Sequence, residues 1–352
     1  MFSIRPWLSA LLIAASVLIA LTGCASTVES TSRVDATSRA ASSSGCSRYA
    51  GPSGSDGAPG TARRPFRTVQ RLANSLRPQE TGCLLPGTYI GNVRFGHGGR
   101  AGRPITVRSA SGRSATIVGR IWIPKGSNRV ILTQLRLVGT NPGNLPSPTV
   151  DSDNDVFIGN DVTDNHTGVC FALGSAGGYG QAVNTLIERN RIHDCGVLPP
   201  MNHDHGIYVA NSIGARIVHN IIYNNADRGI QLYWNAQWTT IAGNIIDHNG
   251  EGIDVSGDFG YVSSHNTIVD NIITNSTEEA DVGSYWPSDS KGVANIVTRN
   301  CIYGGTEAVD RTGGGFAAFG NLIVDPHYAD VAAANYSVPA KSVCASLLAK
   351  AG

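Results

Sequence analysis

One phrase recurs along the chain and limits what it can fold into: an apolar or β-branched run, then Asn, any residue, Ile or Val, two more residues, and often a second Asn. Copies occupy 156–165, 186–194, 217–225, 241–249, 268–275 and 296–304, with anchors at Asn160, Asn190, Asn220, Asn244, Asn271 and Asn300. Between them runs a second phrase, Gly206-Ile207-Tyr208-Val209, Gly229-Ile230-Gln231-Leu232 and Gly252-Ile253-Asp254-Val255, whose isoleucines follow at intervals of 23 residues. Apolar and polar residues alternate in short runs, the mark of strands. Strands this short cannot bury their inner faces alone and must stack on copies above and below. The expected fold is all-β, a solenoid of parallel β coils. An asparagine at a fixed place in each coil can hydrogen-bond its neighbours in a ladder and tolerates a left-handed corner. A doubly wound sheet would need long amphipathic helices, which are missing.

Composition agrees: 42 glycines and 15% charged residues disfavour a helical bundle or coiled coil. A net charge of +1 without a basic patch disfavours a nucleic-acid partner. Residues 1–23, with Arg5, an apolar run over 8–21 and the ending Leu21-Thr22-Gly23-Cys24, read as an export signal closing on a lipobox, with Cys24 as the lipidated residue. An ordinary signal peptide followed by a chance Cys is the alternative. The run is short for a membrane span, so the expected membrane contact is the N-terminal lipid, at the outer face of a bacterial membrane. Residues 24–45, rich in Ser, Thr and Ala, suit a tether.

The rest, 46–352, reads as one domain: an N-terminal cap over 46–90, coils over 91–325 and a closing segment over 326–352. A short capping helix is expected around 66–76, where Phe66, Val69, Leu72, Ala73 and Leu76 lie at helical spacing after Pro65. Six cysteines remain, an even number that favours disulfides in an exported chain. They fall as neighbours into three separated groups, so Cys46–Cys83, Cys170–Cys195 and Cys301–Cys344 is the simplest pairing. A monomer is expected.

Stacking turns sequence intervals into columns. If Ile207, Ile230 and Ile253 point inward, then Tyr208, Gln231 and Asp254 point outward at about 4.8 Å spacing. Ala210, Tyr233 and Ser256 form a further column, and His205, Arg228 and Glu251 another at the strand entrance. The richest stretch is Asn202-His203-Asp204-His205, on an irregular loop after Cys195. His203 or His205 can serve as a base near neutrality. Arg228 can grip a substrate carboxylate with two prongs, and Tyr208 can supply a proton. Those parts are what proton abstraction beside a uronate carboxylate needs.

Three other readings stand beside this one. Asp204 can cap backbone amides while one His packs under the loop and Arg228 and Glu251 form a stacked ion pair. His203, Asp204 and His205 can hold a metal, and Asp254 with Asp258 can offer oxygens to Ca2+. A carboxylate pair, Asp254 with Asp258 or Glu251, can hydrolyse a glycosidic bond. Tyr233, Trp234, Trp238, Tyr285 and Trp286 add flat rings suited to sugar faces.

Two further segments carry a resemblance. Gly54-Ser55-Asp56-Gly57-Ala58-Pro59-Gly60-Thr61, Pro65-Phe66-Arg67-Thr68-Val69-Gln70 and Pro86-Gly87-Thr88-Tyr89 look like the opening of right-handed parallel β-helix proteins of the pectate-lyase-like superfamily. Asn321-Leu322-Ile323-Val324-Asp325-Pro326, followed by Asn335-Tyr336-Ser337-Val338, resembles their close. The resemblance implies a polysaccharide partner and an activity among lyases, uronate epimerases, glycoside hydrolases and non-catalytic surface proteins. His205-Gly206-Ile207 before an Asn-rich coil is similar to the base-bearing segment of β-helix alginate epimerases, although their Asp-Pro-His-Asp phrase is absent here. The leading expectation is thus a polysaccharide lyase or epimerase-like enzyme, with hydrolase and glycan-binding envelope protein as competitors.

Overall fold

The structure is a computed structural model that describes residues 45–348. The export signal, Cys24 and all but the last residue of the tether lie outside the described residues. From there the chain winds into a right-handed parallel β-helix of about nine turns, with three parallel sheets of eleven, ten and nine strands. Each copy of the Asn phrase supplies two strands and the corner between them. Val156–Ile158 and Asp161–Thr163 flank Asn160, Leu186–Glu188 and Arg191–His193 flank Asn190, and Arg216–Val218 and Ile221–Tyr223 flank Asn220. The first strand of each pair joins the eleven-stranded sheet and the second the ten-stranded one. The second phrase builds the nine-stranded sheet through Ile207–Ile213, Arg228–Gln237 and Glu251–Val255.

Packing follows from this register. Phe157, Ile187, Ile217, Ile241, Ile268 and Val297 sit directly above one another, all buried. Ile207, Ile230, Ile253 and Val282 do the same on the nine-stranded side. At each corner the Asn side chain accepts from the backbone N–H and the Nδ2 of the Asn one coil earlier, as Asn244 does from Asn220 at 2.9 and 3.0 Å. The ladder runs from Asn160 through Asn300 and continues to Asn321. One expectation is corrected here. The left-handed residue is the one before the anchor, as at Arg189, His219, Asp270 and Arg299, with φ between 53° and 57°. The turn must precede the Asn so that its side chain can lie along the stack. Asn165 and Asn275, at the ends of their phrases, and Asn224, one residue before the end of its own, do adopt positive φ.

The capping helix α1 spans Val69–Ser75, three residues later than its apolar spacing begins. Thr68 is the N-cap, accepting from the N–H of Arg71, and is itself held by Asp56, which receives its N–H and its hydroxyl at 2.9 Å each. That grip fixes Thr68 in extended backbone, leaving Phe66 to pack as part of the approach. Val69, Leu72, Ala73 and Leu76 join the core, and α1 contacts the strands of the first coils.

All three neighbour pairings of cysteines form: Cys46–Cys83, Cys170–Cys195 and Cys301–Cys344. The closing segment folds back on the outer face of the ten-stranded sheet, where Tyr336, Cys344 and Leu347 pack with the outward-facing Ile245 and Ile272. Tyr328 reaches Thr274 at 3.0 Å.

Candidate active site

The nine-stranded sheet carries the polar columns. Tyr208, Gln231, Asp254 and Gly283 are successive partners in adjacent strands, and Arg228 lies opposite Glu251. The third column is broken: the register shifts between Val209 and Asn211, so Ala210 and Tyr233 are not simple partners. Such a bulge adds a residue to one strand and re-aims the side chains beside it. Close coil contact explains the glycine of the second phrase, since a Cβ at Gly252 would stand 2.3 Å from the carbonyl of Asp281.

Buried charge defines the centre. Arg228 Nε lies 2.9 Å from Glu251 Oε2 and 3.5 Å from Asp254 Oδ2, and all three side chains are at most 5% exposed. Arg228 also bonds Asn202 Oδ1 and lies 3.8 Å from Glu279. Asp254 receives Gln231 Nε2 at 3.0 Å and the Ser256 hydroxyl, both on Oδ2. Arg228 approaches the same oxygen, so three donors share Oδ2. Burial, and then the charge of Asp254, push Glu251 well above the usual carboxylate range despite Arg228. Burial also raises Asp254, but Arg228, Ser256 and Gln231 oppose it. Both carboxyls of the pair are thus raised, and groups held this close titrate as one unit.

These groups form the floor of a cleft of about 700 Å³. Glu279, Glu307 and Asp310 join Glu251 and Asp254 in its lining, so five carboxyl groups face two cations, Arg228 and Lys291. Tyr285, 59% exposed, and Trp286 supply aromatic wall. Trp286 is anchored by its indole N–H to the carbonyl of Gly314 at 3.1 Å. Gly283 keeps the floor open, because a Cβ there would come within 2.5 Å of Glu251 Oε1. Gly283→Ala is expected to displace that carboxyl and lower turnover about 100-fold with little change in melting temperature; steady-state kinetics beside a thermal melt checks it.

The remaining expected residues divide. His205 is buried and packs beside Tyr208, ring centroids 5.6 Å apart. Burial, then the charges of Arg228 and His203, hold it well below the ordinary histidine range, and its Nδ1 has no hydrogen-bond partner among the described residues. Neither His205 nor Tyr208 lines the cleft. Burial raises the phenol of Tyr208 as well. His203 is exposed, its backbone N–H donating to Asp227 at 2.6 Å. Asp204 accepts the N–H of Val197 at 3.1 Å, an amide cap within the loop. Asp258 is bonded by the Tyr233 hydroxyl at 2.8 Å and the Phe259 N–H at 2.7 Å. The carboxyls that converge are thus Glu251 and Asp254, with Asp258 committed elsewhere. Trp234 stacks edge-on with Tyr261, centroids 4.9 Å apart. Among the described residues no group of three or more His, Cys, Asp and Glu is arranged to hold a metal ion.

Sequence reasoning marked the stretch that begins at Asn202 but not the reach of Asn202 to Arg228, and it missed Glu279, Lys291, Glu307 and Asp310, which reach the cleft from loops outside the two phrases. It also missed Asp227, whose carboxylate takes the backbone N–H groups of Asn202, His203 and Asp204 and so fixes the loop that brings Asn202 to Arg228. Loop positions carry no register, which left these residues without a signal.

Residues 149–321 match the family described as Right handed beta helix region, and the chain is a right-handed parallel β-helix protein. Two solved structures share its course. One is XylC in complex with xylose, at TM-score 0.63 and 12% identity over 79% of this chain and 69% of that one. The other is the pectate lyase Pel9A, at TM-score 0.57 and 14% identity over 81% and 83%. No curated protein matches the chain.

Proposed function

We propose that the protein is an extracytoplasmic glycoside hydrolase acting on a linkage between uncharged sugars, with Glu251 as general acid and Asp254 as nucleophile. The observation that carries this reading is the Glu251–Arg228–Asp254 cluster on the cleft floor. Assigning the pair's proton to Glu251 and its charge to Asp254 supplies the two roles that glycosidic cleavage requires. Both contact one Nε, which favours a short carboxyl separation of about 5 Å over the gap of ~6.5 Å or more that an inverting pair leaves for water. Retention of anomeric configuration is the expected outcome.

The lyase or epimerase expectation needs Arg228 free for a substrate carboxylate. Here two buried carboxyls already occupy it, and a cleft with five carboxyl groups against two cations repels a uronate. Fold neighbours named for xylose and for pectate support a carbohydrate ligand and do not choose the reaction. The three disulfides suit an oxidising compartment, in keeping with export and lipid anchoring through Cys24 as a monomer. Incubation with neutral and uronate-containing polysaccharides tests the proposal. New reducing ends without ultraviolet-absorbing products are expected from a neutral linkage; an unsaturated uronate product would overturn it.

A further inference from the structure

The outward column that holds Asp254 does not end at Tyr208. Partner by partner it continues through Ala172, Thr149 and Trp122 to Arg94. Trp122 therefore stands on the same face five strand spacings from Asp254, about 24 Å along the helix axis. Its ring carries two guanidinium groups, Arg94 at 5.1 Å and Arg120 at 5.3 Å from the centroid, and its indole N–H is fixed by Asp151 at 2.7 Å. Tyr179, 64% exposed, meets the ring edge-on at 6.5 Å.

Two cations thus gather on one ring beside a single carboxylate. Among the described residues neither arginine has an ion pair at this position, and the bond from Arg120 to the Thr149 hydroxyl, at 3.4 Å, is long. Two buried polar atoms, Arg120 Nε and Asp151 Oδ1, have no hydrogen-bond partner among the described residues, a condition that buried groups rarely keep without water or ligand. Asp151 is the one carboxylate in the cluster: its Oδ2 holds Trp122 and its charge acts on Arg120, which leaves Arg94 without a counter-charge in the cluster. An aromatic plate with guanidinium forks has the parts to receive a sugar ring bearing a carboxylate or sulfate.

We infer that Arg94, Arg120 and Trp122 form a distal subsite for an acidic sugar on the glycan whose uncharged linkage is cut at Asp254. This deepens the hydrolase reading and rests on it for the substrate's direction along the column: a largely neutral chain with an anionic unit several residues from the cleaved bond. The acidic cleft and the basic plate sort the two kinds of sugar, and together they set the register of the chain.

The test uses the full chain with trigalacturonate and xylotriose as probes, followed by tryptophan fluorescence. Saturable quenching by trigalacturonate is expected, at least tenfold tighter than by xylotriose and weakened by salt. Trp122→Phe removes the signal, and Arg94→Gln, at an exposed position, weakens binding about tenfold or more. Glu251→Gln binds as the wild type does. Equal affinity for both probes, no saturable quenching, or an unaltered Arg94→Gln curve would each overturn the subsite. Every readout here is binding and none is cleavage, so failure here leaves the hydrolase reading to its own test.

Discussion

Asp254→Asn is expected to lower turnover of a neutral glycan by about 1,000-fold or more, and Glu251→Gln to do so by about 100- to 10,000-fold on natural linkages while sparing aryl glycosides with good leaving groups. The two losses differ in kind. In the proposed mechanism Asp254 attacks the sugar carbon whatever the leaving group, whereas Glu251 matters only where the departing oxygen needs a proton. The pH dependence follows from the same geometry. Glu251 is pushed well above the usual carboxylate range by burial and by Asp254, so wild-type activity falls on the alkaline side as Glu251 loses its proton, and in Glu251→Gln that limb disappears. Stability carries the same sign. A carboxyl raised in the folded state binds its proton more tightly than in the unfolded chain, so stability is lost as pH rises from the unfolded value of about 4.3 through the folded one. Glu251→Gln, which keeps a neutral side chain there at every pH, should therefore melt progressively higher relative to the wild type as pH rises. Kinetics on both substrate types and melts across that range check the pair. Equal losses on activated and natural substrates would remove Glu251 from the acid's role.

The path from residues to fold was short because the repeat states its own register. Ile207, Ile230 and Ile253 become vertical neighbours, and the anchoring asparagines stack for the same reason. The site was legible to the extent that it shares this register: the Arg228, Glu251 and Gln231, Asp254 columns could be counted off and the Arg228–Glu251 pair read from them, while the convergence of Asp254 on the same guanidinium could not. Arg228 reads in sequence either as a cation for a uronate or as the stacked partner of Glu251; the structure has the second, with Asp254 on the same nitrogen. Glu279 and Glu307 sit in loops whose paths the spacing does not determine. Trp122 was passed over because the coil that carries it, Ile121–Ile123, lies outside the Asn phrases, and the column reaches it only through short strands with irregular intervals.

Asn244 sets the second large effect. Its Oδ1 takes the N–H and Nδ2 of Asn220, and its Nδ2 donates to the Ile217 carbonyl at 2.8 Å and to Asn271 at 2.9 Å, all in a fully buried corner. Asn244→Ala leaves the Asn220 N–H and the Ile217 carbonyl without those partners where water cannot replace them, a cost of about 3–5 kcal/mol. In a solenoid each coil is supported by its neighbours alone, so the loss loosens the coils on either side together rather than one corner. Asn244→Asp separates the acceptor from the donor. It keeps an oxygen for Asn220 but surrenders the donation to Ile217 and places a carboxylate in a dry site, so at neutral pH it should melt no higher than the alanine variant. Acidification should then recover part of the difference, because a buried carboxyl has its pKa raised in the folded state and the protonated form regains a donor. A melting series of the two variants from acid to neutral pH decides it: an aspartate variant as stable as the wild type at neutral pH would mean that the corner is held by the stacked isoleucines and not by the asparagine ladder.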